Sequence, residues 1–286
     1  MAKNIVWRGL LAGLIAAIPA FIIAKLLGEP QINKAIDYEG GRDSAIEALQ
    51  AAAGKAVEEM GHDPFSRATQ STWGLLTGIV LMGIAYAGFW AFTYGMVREQ
   101  FAQLSPRALA LLVAIAGFLT LYFFPTLKYP ANPPAIGHEE TIGARTGLYL
   151  AMVAVSICAM IVAVWLAVRL QPAKGWWNSI LIGAGLFLAI QIVAQLVLPQ
   201  LGHLSANVAE YGRQATETPL PLKDANGTIV FPGFPADVLA QFRLYSLVNQ
   251  LVLWGGIGVI AGSLLQRATA PAVARAPRGD LAGQAA

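Results

Sequence analysis

The sequence predicts an all-α integral membrane protein, built as a bundle of six transmembrane helices. First, 56% of its 286 residues are hydrophobic and only 12% are charged, about half the charged fraction of a soluble globular domain. Second, weakly charged runs of about twenty residues recur, the length needed to cross a hydrocarbon core of about 30 Å. Third, the runs lack the alternating pattern of barrel strands, so their backbone groups must pair within helices.

The predicted spans follow the apolar runs in chain order. They cover about residues 9–27, 73–97, 108–127, 147–168, 180–198 and 244–265. Together they make residues 1–267 one transmembrane domain, with outer loops at 28–72, 128–146 and 199–243. Residues 268–286 are rich in Ala, Pro, Gly and Arg, which predicts a disordered cytoplasmic tail.

Two of the outer loops carry signals for local structure. In the first loop, apolar residues recur at helical spacing between Asp43 and Met60, which predicts a surface helix. In the third loop, Asp224-Ala-Asn-Gly227 separates short apolar segments and predicts a β-hairpin.

The distribution of basic residues predicts the orientation. The two ends and the second and fourth connections carry nine basic residues and two acidic ones, a net charge of +7. The outer loops and their flanks carry ten basic and fourteen acidic residues, a net charge of −4. Because short cytoplasmic segments are enriched in Lys and Arg, both ends are predicted to be cytoplasmic.

A weak threefold pattern suggests three helical hairpins. Each hairpin leaves the membrane at a proline and re-enters just after an arginine; the prolines are Pro30, Pro125 and Pro199, and the arginines Arg67, Arg145 and Arg243. If the pattern is real, three arginines meet at one rim. Chance is an equal alternative, because prolines commonly end helices and arginines commonly reach to the interface.

The second outer loop contains the most unusual segment, which we call the strap (residues 128–137). Its prolines restrict the backbone, so we expect a rigid extended segment that holds side chains in place. The candidate functional residues in and after the strap are Lys128, Tyr129, Pro130, Asn132, Pro133, Arg145 and Thr146. The alternative is that Lys128 and Arg145 simply reach to lipid headgroups.

The histidines suggest a metal site on the same side. All three, His62, His138 and His203, fall in outer loops. A cobalt or nickel ion favours imidazole nitrogens, with carboxylates as supporting ligands. The candidate cluster is His138 with Glu139 or Glu140, joined by Glu29, His62 or Asp63. The alternative is chance, because histidine avoids lipid in any case.

Within the predicted spans the informative groups are polar and uncharged. Gln191 and Gln195, and Asn249 and Gln250, are expected to face the bundle, where they either bond neighbouring helices or line a path. Glycine pairs four residues apart predict close helix contacts; they are Gly9 and Gly13, Gly74 and Gly78, and Gly258 and Gly262. The sequence contains no nucleotide-binding, nucleophile or zinc-protease motif and no nucleic-acid signature, so we do not expect an enzyme or a nucleic-acid partner.

Several segments together resemble the CbtA family of probable cobalt transporter subunits, over about residues 7–267. The strap and the following Thr-Ile-Gly-Ala-Arg-Thr segment carry the resemblance, with Gly28-Glu-Pro30, Ser66-Arg-Ala-Thr-Gln70 and Phe242-Arg-Leu-Tyr-Ser246. These segments add Gln70 and Ser246 to the candidate functional residues, beside Arg67 and Arg243, and Gln250 joins the set as a polar residue of the sixth span. The sequence departs from the family in two ways. Its first outer loop has one histidine, whereas many relatives have a histidine-rich loop there. Its third outer loop is longer, and residues 207–230 look like an insertion.

The resemblance implies a multi-pass subunit of a cobalt uptake system in a bacterial cytoplasmic membrane. It also implies a small membrane partner subunit, and cobalt or another divalent cation as the transported ion. The leading hypothesis is that the outer loops capture the ion and the helices form its path. The alternative is a scaffold or accessory subunit that does not transport and uses the strap and arginines to hold a partner or lipid headgroups.

Overall fold

The protein is an all-α membrane protein in which helices make up most of the described chain. The computed structural model describes residues 2–54, 65–134 and 136–269. Within them, five helices are long and apolar enough to cross a membrane: Lys3–Ala52, Arg67–Val97, Pro106–Lys128, Glu139–His203 and Ala236–Ala268.

Three of these long helices contain a π-helical turn that separates two α-helical segments. The first joins α1 (Ala2–Ile23) to α2 (Glu29–Ala52) through Ala24–Gly28. The second joins α3 (Arg67–Thr69) to α4 (Leu75–Val97) through Gln70–Gly74, and the third joins α5 (Pro106–Phe118) to α6 (Phe124–Lys128) through Leu119–Phe123. The remaining elements are α7 (Ile142–Val197), α8 (Ser205–Tyr211), β1 (Leu222–Lys223), β2 (Ile229–Phe231) and α9 (Ala236–Thr269).

The helices do not end at Pro30 and Pro125, two of the prolines at which the threefold pattern has the chain leave the membrane. Pro30 follows the first π-helical turn and Pro125 the third, and both helices continue through them. Proline has no N–H to donate, and its ring collides with the carbonyl one turn earlier. A π-helical turn locally loosens the α-helical bonding pattern and so accommodates the proline. The third proline, Pro199, does follow the end of α7.

Small residues bring the helices of the bundle into close contact. A Cβ on Gly13 would lie 2.3 Å from the Gly83 carbonyl oxygen, so α1 and α4 touch through their backbones. Gly258 and Gly262 lie against Ala114 and Ala110 in the same way, which joins α9 to α5. The predicted contact role of these glycines is confirmed, but it is wrong for Gly74 and Gly78, where no neighbouring helix lies within 4 Å.

The long helix α7 is two antiparallel arms. Gly175 breaks its backbone with φ +72° and ψ 164°. Ser156 donates a hydrogen bond of 3.2 Å to Gln191 Oε1, although 35 residues of straight helix would separate them by about 50 Å. The chain therefore folds back at Gly175. The predicted interhelical bonding role of Gln191 is confirmed.

The ends of the bundle differ in what covers them. Gly9 lies against Ala91, and Gly262 against Arg107, so the start of α1, the end of α4, the start of α5 and the end of α9 share one end. We call it the basic end, because Lys3, Arg98, Arg107 and Arg267 lie there. The opposite end, the capped end, carries α2, the strap and residues 199–235.

The β-hairpin and most of the predicted surface helix are present at the capped end. Leu222 pairs with Phe231 in the antiparallel hairpin, and Asp224 Oδ1 accepts hydrogen bonds from two backbone N–H groups of the turn. Tyr38 of α2 packs its ring on Phe231 and Phe234. The predicted helix after Asp43 extends to Ala52, and its last predicted residues lie outside the described chain.

Candidate functional site

The strap is hydrogen-bonded to the end of α7 and to the start of the third outer loop. Lys128 Nζ donates to the Gln195 carbonyl oxygen at 2.7 Å, and the Tyr129 hydroxyl donates to the Pro199 carbonyl oxygen at 2.9 Å. Pro133 of the strap is fully buried. The strap and residues 199–235 therefore form one ordered layer, which we call the cap.

A buried carboxylate, that of Glu217, lies at the centre of the cap. Its side chain has no exposed surface. Oε1 accepts a hydrogen bond of 2.8 Å from Asn207 Nδ2 and another from the Thr141 hydroxyl, and Oε2 lies 3.1 Å from Arg145 Nη1. A buried carboxylate is stable only when it is paired and hydrogen-bonded. Glu217 therefore joins the third outer loop to the start of α7.

Arg243 connects the same layer to α9. Its guanidinium donates to the Ala131 carbonyl oxygen at 3.1 Å, to Asn132 Oδ1 at 2.8 Å and to Thr216 Oγ1 at 3.1 Å. Asn132 in turn donates to the backbone carbonyl oxygen of Glu217 at 3.0 Å. Two of the three predicted rim arginines thus hold one network, with Asn132 between them.

Gly137 permits this network to close. Its φ of +138° is in the region that favours glycine, and a Cβ there would lie 2.6 Å from Arg145 Nη1.

The third arginine, Arg67, forms a separate pair. It contacts the carboxylate of Glu29, which is 6% exposed, and its Nε donates to Asn33 Oδ1 at 3.2 Å. This pair lies where the first long helix enters the capped end.

A partly open cavity of about 480 Å³ lies beside that pair, between the first long helix, α4 and α9. The Glu29–Arg67 pair and Pro134 lie at its capped end. Its deeper wall is apolar, except for side chains that include Asn249 and Gln250; the lining residues are Glu29, Ile32, Ile36, Arg67, Gln70, Gly74, Leu75, Gly78, Ile79, Met82, Pro134, Asn249, Gln250 and Leu253.

Two features of this cavity bear on what it can bind. The side-chain oxygens of Asn249 and Gln250 are buried and have no hydrogen-bond partner. One helical turn nearer the basic end, Tyr86 and Trp254 stack with ring centroids 4.7 Å apart, and Trp254 is 2% exposed. The two amide side chains thus lie in an apolar wall, and a packed aromatic pair lies beyond them toward the basic end. Gly74 and Gly78, which lack a helix contact, leave room for the cavity.

A family model described as "Probable cobalt transporter subunit (CbtA)" matches residues 2–266. The chain belongs to the CbtA family. No curated protein and no solved structure matches the chain significantly.

The candidate metal ligands of this CbtA chain are not gathered in one place. His138 Nδ1 accepts from the Glu140 backbone N–H at 3.2 Å, and its Nε2 lies 3.1 Å from Glu210 Oε2. Glu139 is exposed, and Glu29 pairs with Arg67 instead. His62 lies outside the described residues. Among residues 2–54, 65–134 and 136–269, no three His, Cys, Asp or Glu side chains form a group that could hold a metal ion. The metal cluster stays a prediction.

The remaining motif residues of the CbtA chain have varied positions. Gln70 Nε2 donates to the Phe65 carbonyl oxygen at 3.0 Å, and the exposed Thr146 hydroxyl donates to the Ile142 carbonyl oxygen at 2.9 Å. Pro130 and Ser246 are half-buried. Of the whole set, Arg67, Gln70 and Gln250 line the cavity, whereas Asn132, Arg145 and Arg243 hold the cap.

Sequence reasoning missed Glu217 and Tyr211, because both lie in the stretch that resembled an insertion. Tyr211 is 8% exposed, and burial, followed by the adjacent Glu210 carboxylate, raises the pKa of its phenol above the usual value. One signal was present in the sequence, because Arg145 needs a carboxylate partner. However, the outer loops and their flanks contain fourteen acidic residues, and the sequence does not show which of them pairs with Arg145.

Proposed function

We propose that this CbtA-family protein is a membrane subunit of a cobalt uptake system, and that it receives the divalent ion at its capped end. Family membership supports the transported ion and the role as a subunit. In this proposal a small membrane partner subunit completes the system.

The proposal places the capped end outside the cell and the basic end in the cytoplasm. The basic end carries Lys3, Arg98, Arg107 and Arg267, and Arg169 and Lys174 lie near the fold-back at Gly175. Basic residues concentrate in short cytoplasmic segments. At 1.5 Å per residue, each arm of α7 is long enough to cross about 30 Å of hydrocarbon. With α7 counted as two crossings, the chain crosses six times and both ends are cytoplasmic.

The observation that carries the proposal is the cavity. It has the Glu29 carboxylate, paired with Arg67, at its capped end and the amide side chains of Asn249 and Gln250 deeper inside, and the Tyr86–Trp254 stack lies one helical turn farther toward the basic end. A transport protein needs a site that is reached from one side and closed to the other. The cap is stabilised by its own buried pairs and so can hold the mouth of such a site in a fixed shape.

Uptake of radioactive cobalt at limiting metal tests this function. Cells that carry the gene should accumulate more cobalt than cells that lack it, and Glu29→Gln should lower uptake at equal protein level. A matched control is Glu99→Gln, because Glu99 is 85% exposed at the basic end. Equal uptake with and without the gene would exclude transport and favour a scaffold role.

A further inference from the structure

We propose that the cavity between the first long helix, α4 and α9 binds one phospholipid with an anionic headgroup. Lys25 and Arg67 hold the phosphate of this lipid, and one acyl chain lies along the apolar wall deeper in the membrane. The inference does not depend on the uptake function, because the cavity can bind a lipid whether or not the protein carries cobalt.

The first argument comes from the wall of the cavity. Gly74 and Gly78 contribute no side chains to it, and no neighbouring helix lies within 4 Å of their Cβ positions. Both glycines are exposed on a helix that is long and apolar enough to cross a membrane. The cavity is therefore open to lipid on this side. The side chains of its deeper wall are apolar and suit an acyl chain; they are Leu75, Ile79, Met82 and Leu253.

The second argument is a cation without a carboxylate partner. Lys25 lies in the first π-helical turn, inside a helix that is apolar enough to cross a membrane. Its Nζ donates to the Ser71 carbonyl oxygen at 2.8 Å, and to the hydroxyls of Ser71 and Thr72 at 3.1 and 3.4 Å. In the described part of the chain, no Asp or Glu oxygen lies within 4 Å of this Nζ. A charged group at membrane depth is costly unless it is paired, so Lys25 favours an anionic ligand.

The third argument is that Arg67 has donors left over. Its Nη2 contacts the Glu29 carboxylate, and its Nε donates to Asn33 Oδ1 at 3.2 Å. Among residues 2–54, 65–134 and 136–269, Nη1 has no hydrogen-bond partner, and the side chain is 34% exposed. Phosphate oxygens accept charge-assisted hydrogen bonds from arginine. Arg67 can therefore bind a phosphate through Nη1 without losing Glu29.

The two cations lie close enough to act together. Lys25 precedes Glu29 by four residues, about one helical turn, so both side chains are on the same side of the first long helix. Lys25 bonds Ser71 and Glu29 pairs with Arg67, so both contact the segment that begins the second long helix. Ser71 also follows Gln70, which lines the cavity. The phosphate site thus lies beside the capped end of the apolar wall.

Charge decides which lipid is preferred. Lys25, Arg67 and Glu29 have a net charge of +1, which complements the single negative charge of phosphatidylglycerol. Phosphatidylethanolamine has no net charge. Lipid tails in the surrounding bilayer are as apolar as the wall, so the acyl chain adds little preference. Basic pockets between transmembrane helices select lipids by their headgroups.

A bound acyl chain also completes the cavity. It covers the lipid side, which Gly74 and Gly78 leave open. The capped end, beside Pro134, then remains as the entrance. The lipid is thus part of the wall of the site in which the uptake proposal places the ion.

The test uses the full-length protein in nanodiscs that contain equal amounts of phosphatidylglycerol and phosphatidylethanolamine with the same acyl chains. Native mass spectrometry then counts the lipids that stay bound after release from the disc. One phosphatidylglycerol should be retained per protein, in preference to phosphatidylethanolamine. Lys25→Gln should lower this preference about fivefold, equivalent to about 1 kcal/mol for one basic group at a membrane surface. The matched control is Arg169→Gln, since Arg169 is exposed near the fold-back of α7, and it should leave the preference unchanged.

Two further variants separate lipid binding from loss of folding. Glu29→Gln removes the one carboxylate of the lining and should raise the preference for phosphatidylglycerol, which misfolding cannot do. Gly78→Leu should abolish retention of the lipid, because its side chain fills the space of the acyl chain. The control Gly88→Leu should retain the lipid, since Gly88 does not line the cavity and nothing lies within 4 Å of its Cβ position.

Each outcome supports or overturns the inference. Equal retention of the two lipids, or an unchanged preference in Lys25→Gln, would refute the phosphate site. Retention of the lipid by Gly78→Leu would place the acyl chain elsewhere. A partner helix that copurifies with the protein while no lipid is retained would identify a protein-binding groove instead. Cobalt uptake is measured separately, so its loss in Glu29→Gln tests the uptake proposal and leaves the lipid result independent.

Discussion

Replacing Glu217 with alanine should release the third outer loop from the rest of the cap. The carboxylate is fully buried and has three partners: Asn207, Thr141 and Arg145. Its loss would leave the Asn207 amide without one acceptor and the Arg145 guanidinium without its counter-charge.

The expected magnitude follows from burial. Removing one partner of a buried ion pair costs about 3–5 kcal/mol. The Arg145 side chain is 29% exposed and regains some hydration, so the lower end of this range applies, about 3 kcal/mol. At 1.4 kcal/mol per tenfold change, the open form of the loop should become about a hundredfold more populated. Glu217→Gln keeps the shape and one acceptor and should cost about half as much.

Limited trypsin digestion in detergent measures this opening, because cleavage of a transiently open segment follows its population. Arg213 and Lys223 are exposed cleavage sites in the loop. Glu210→Ala is the matched control: its carboxylate is 43% exposed and bonds His138, so its loss should change cleavage less than about fivefold. If Glu217→Ala is cleaved no faster than Glu210→Ala, the carboxylate does not hold the cap and the reasoning fails.

Three further predictions concern packing, orientation and the strap. Gly13→Leu should abolish stable folding in detergent, because a Cβ there would lie 2.3 Å from a backbone oxygen, and the protein should lose its monodisperse elution from a size-exclusion column. The control Gly88→Leu should elute normally, since nothing lies within 4 Å of its Cβ position. In intact cells with a cysteine-free background, Ala225→Cys should react with an impermeant maleimide and Ala102→Cys should not; the reverse would place the cap in the cytoplasm. Gly137→Ala should lower the thermal midpoint by several degrees, because its Cβ would meet an arginine nitrogen at 2.6 Å and its φ is unfavourable; an unchanged midpoint would contradict this account of the strap.

The membrane class was predictable because it depends on composition and on the length of apolar runs. A run near twenty residues can satisfy its backbone in lipid only as a helix, so the long helices of the structure follow the predicted spans. Tight turns are similarly local: Asp224 bonds its own turn, and Gly227 supplies the positive φ of +82°. Pro30 and Pro125 lie inside continuous long helices, each after a π-helical turn, which the prolines in the sequence did not reveal.

The candidate site was only partly predictable. Arg67, Gln70 and Gln250 were selected from the sequence and line the cavity, and Asn132, Arg145 and Arg243 were selected and hold the cap. The sequence could not show that they belong to two different places. The proposed neighbourhood of Glu29 and His138 assumed that the first and second outer loops lie side by side. Ala35 and Tyr38 do pack with Ile136, but Glu29 pairs with Arg67 and His138 with Glu210.

By itself the sequence determined a multi-pass helical protein, and it contains motifs specific enough to name the family. These properties depend on local composition and order along the chain. The tertiary structure alone decided that Glu217 is the buried centre of the cap, and that the side-chain oxygens of Asn249 and Gln250 are buried without a hydrogen-bond partner. The reason is physical: a side chain's partner and its exposure to water depend on residues distant in the chain, such as Arg145, which is 72 positions before Glu217.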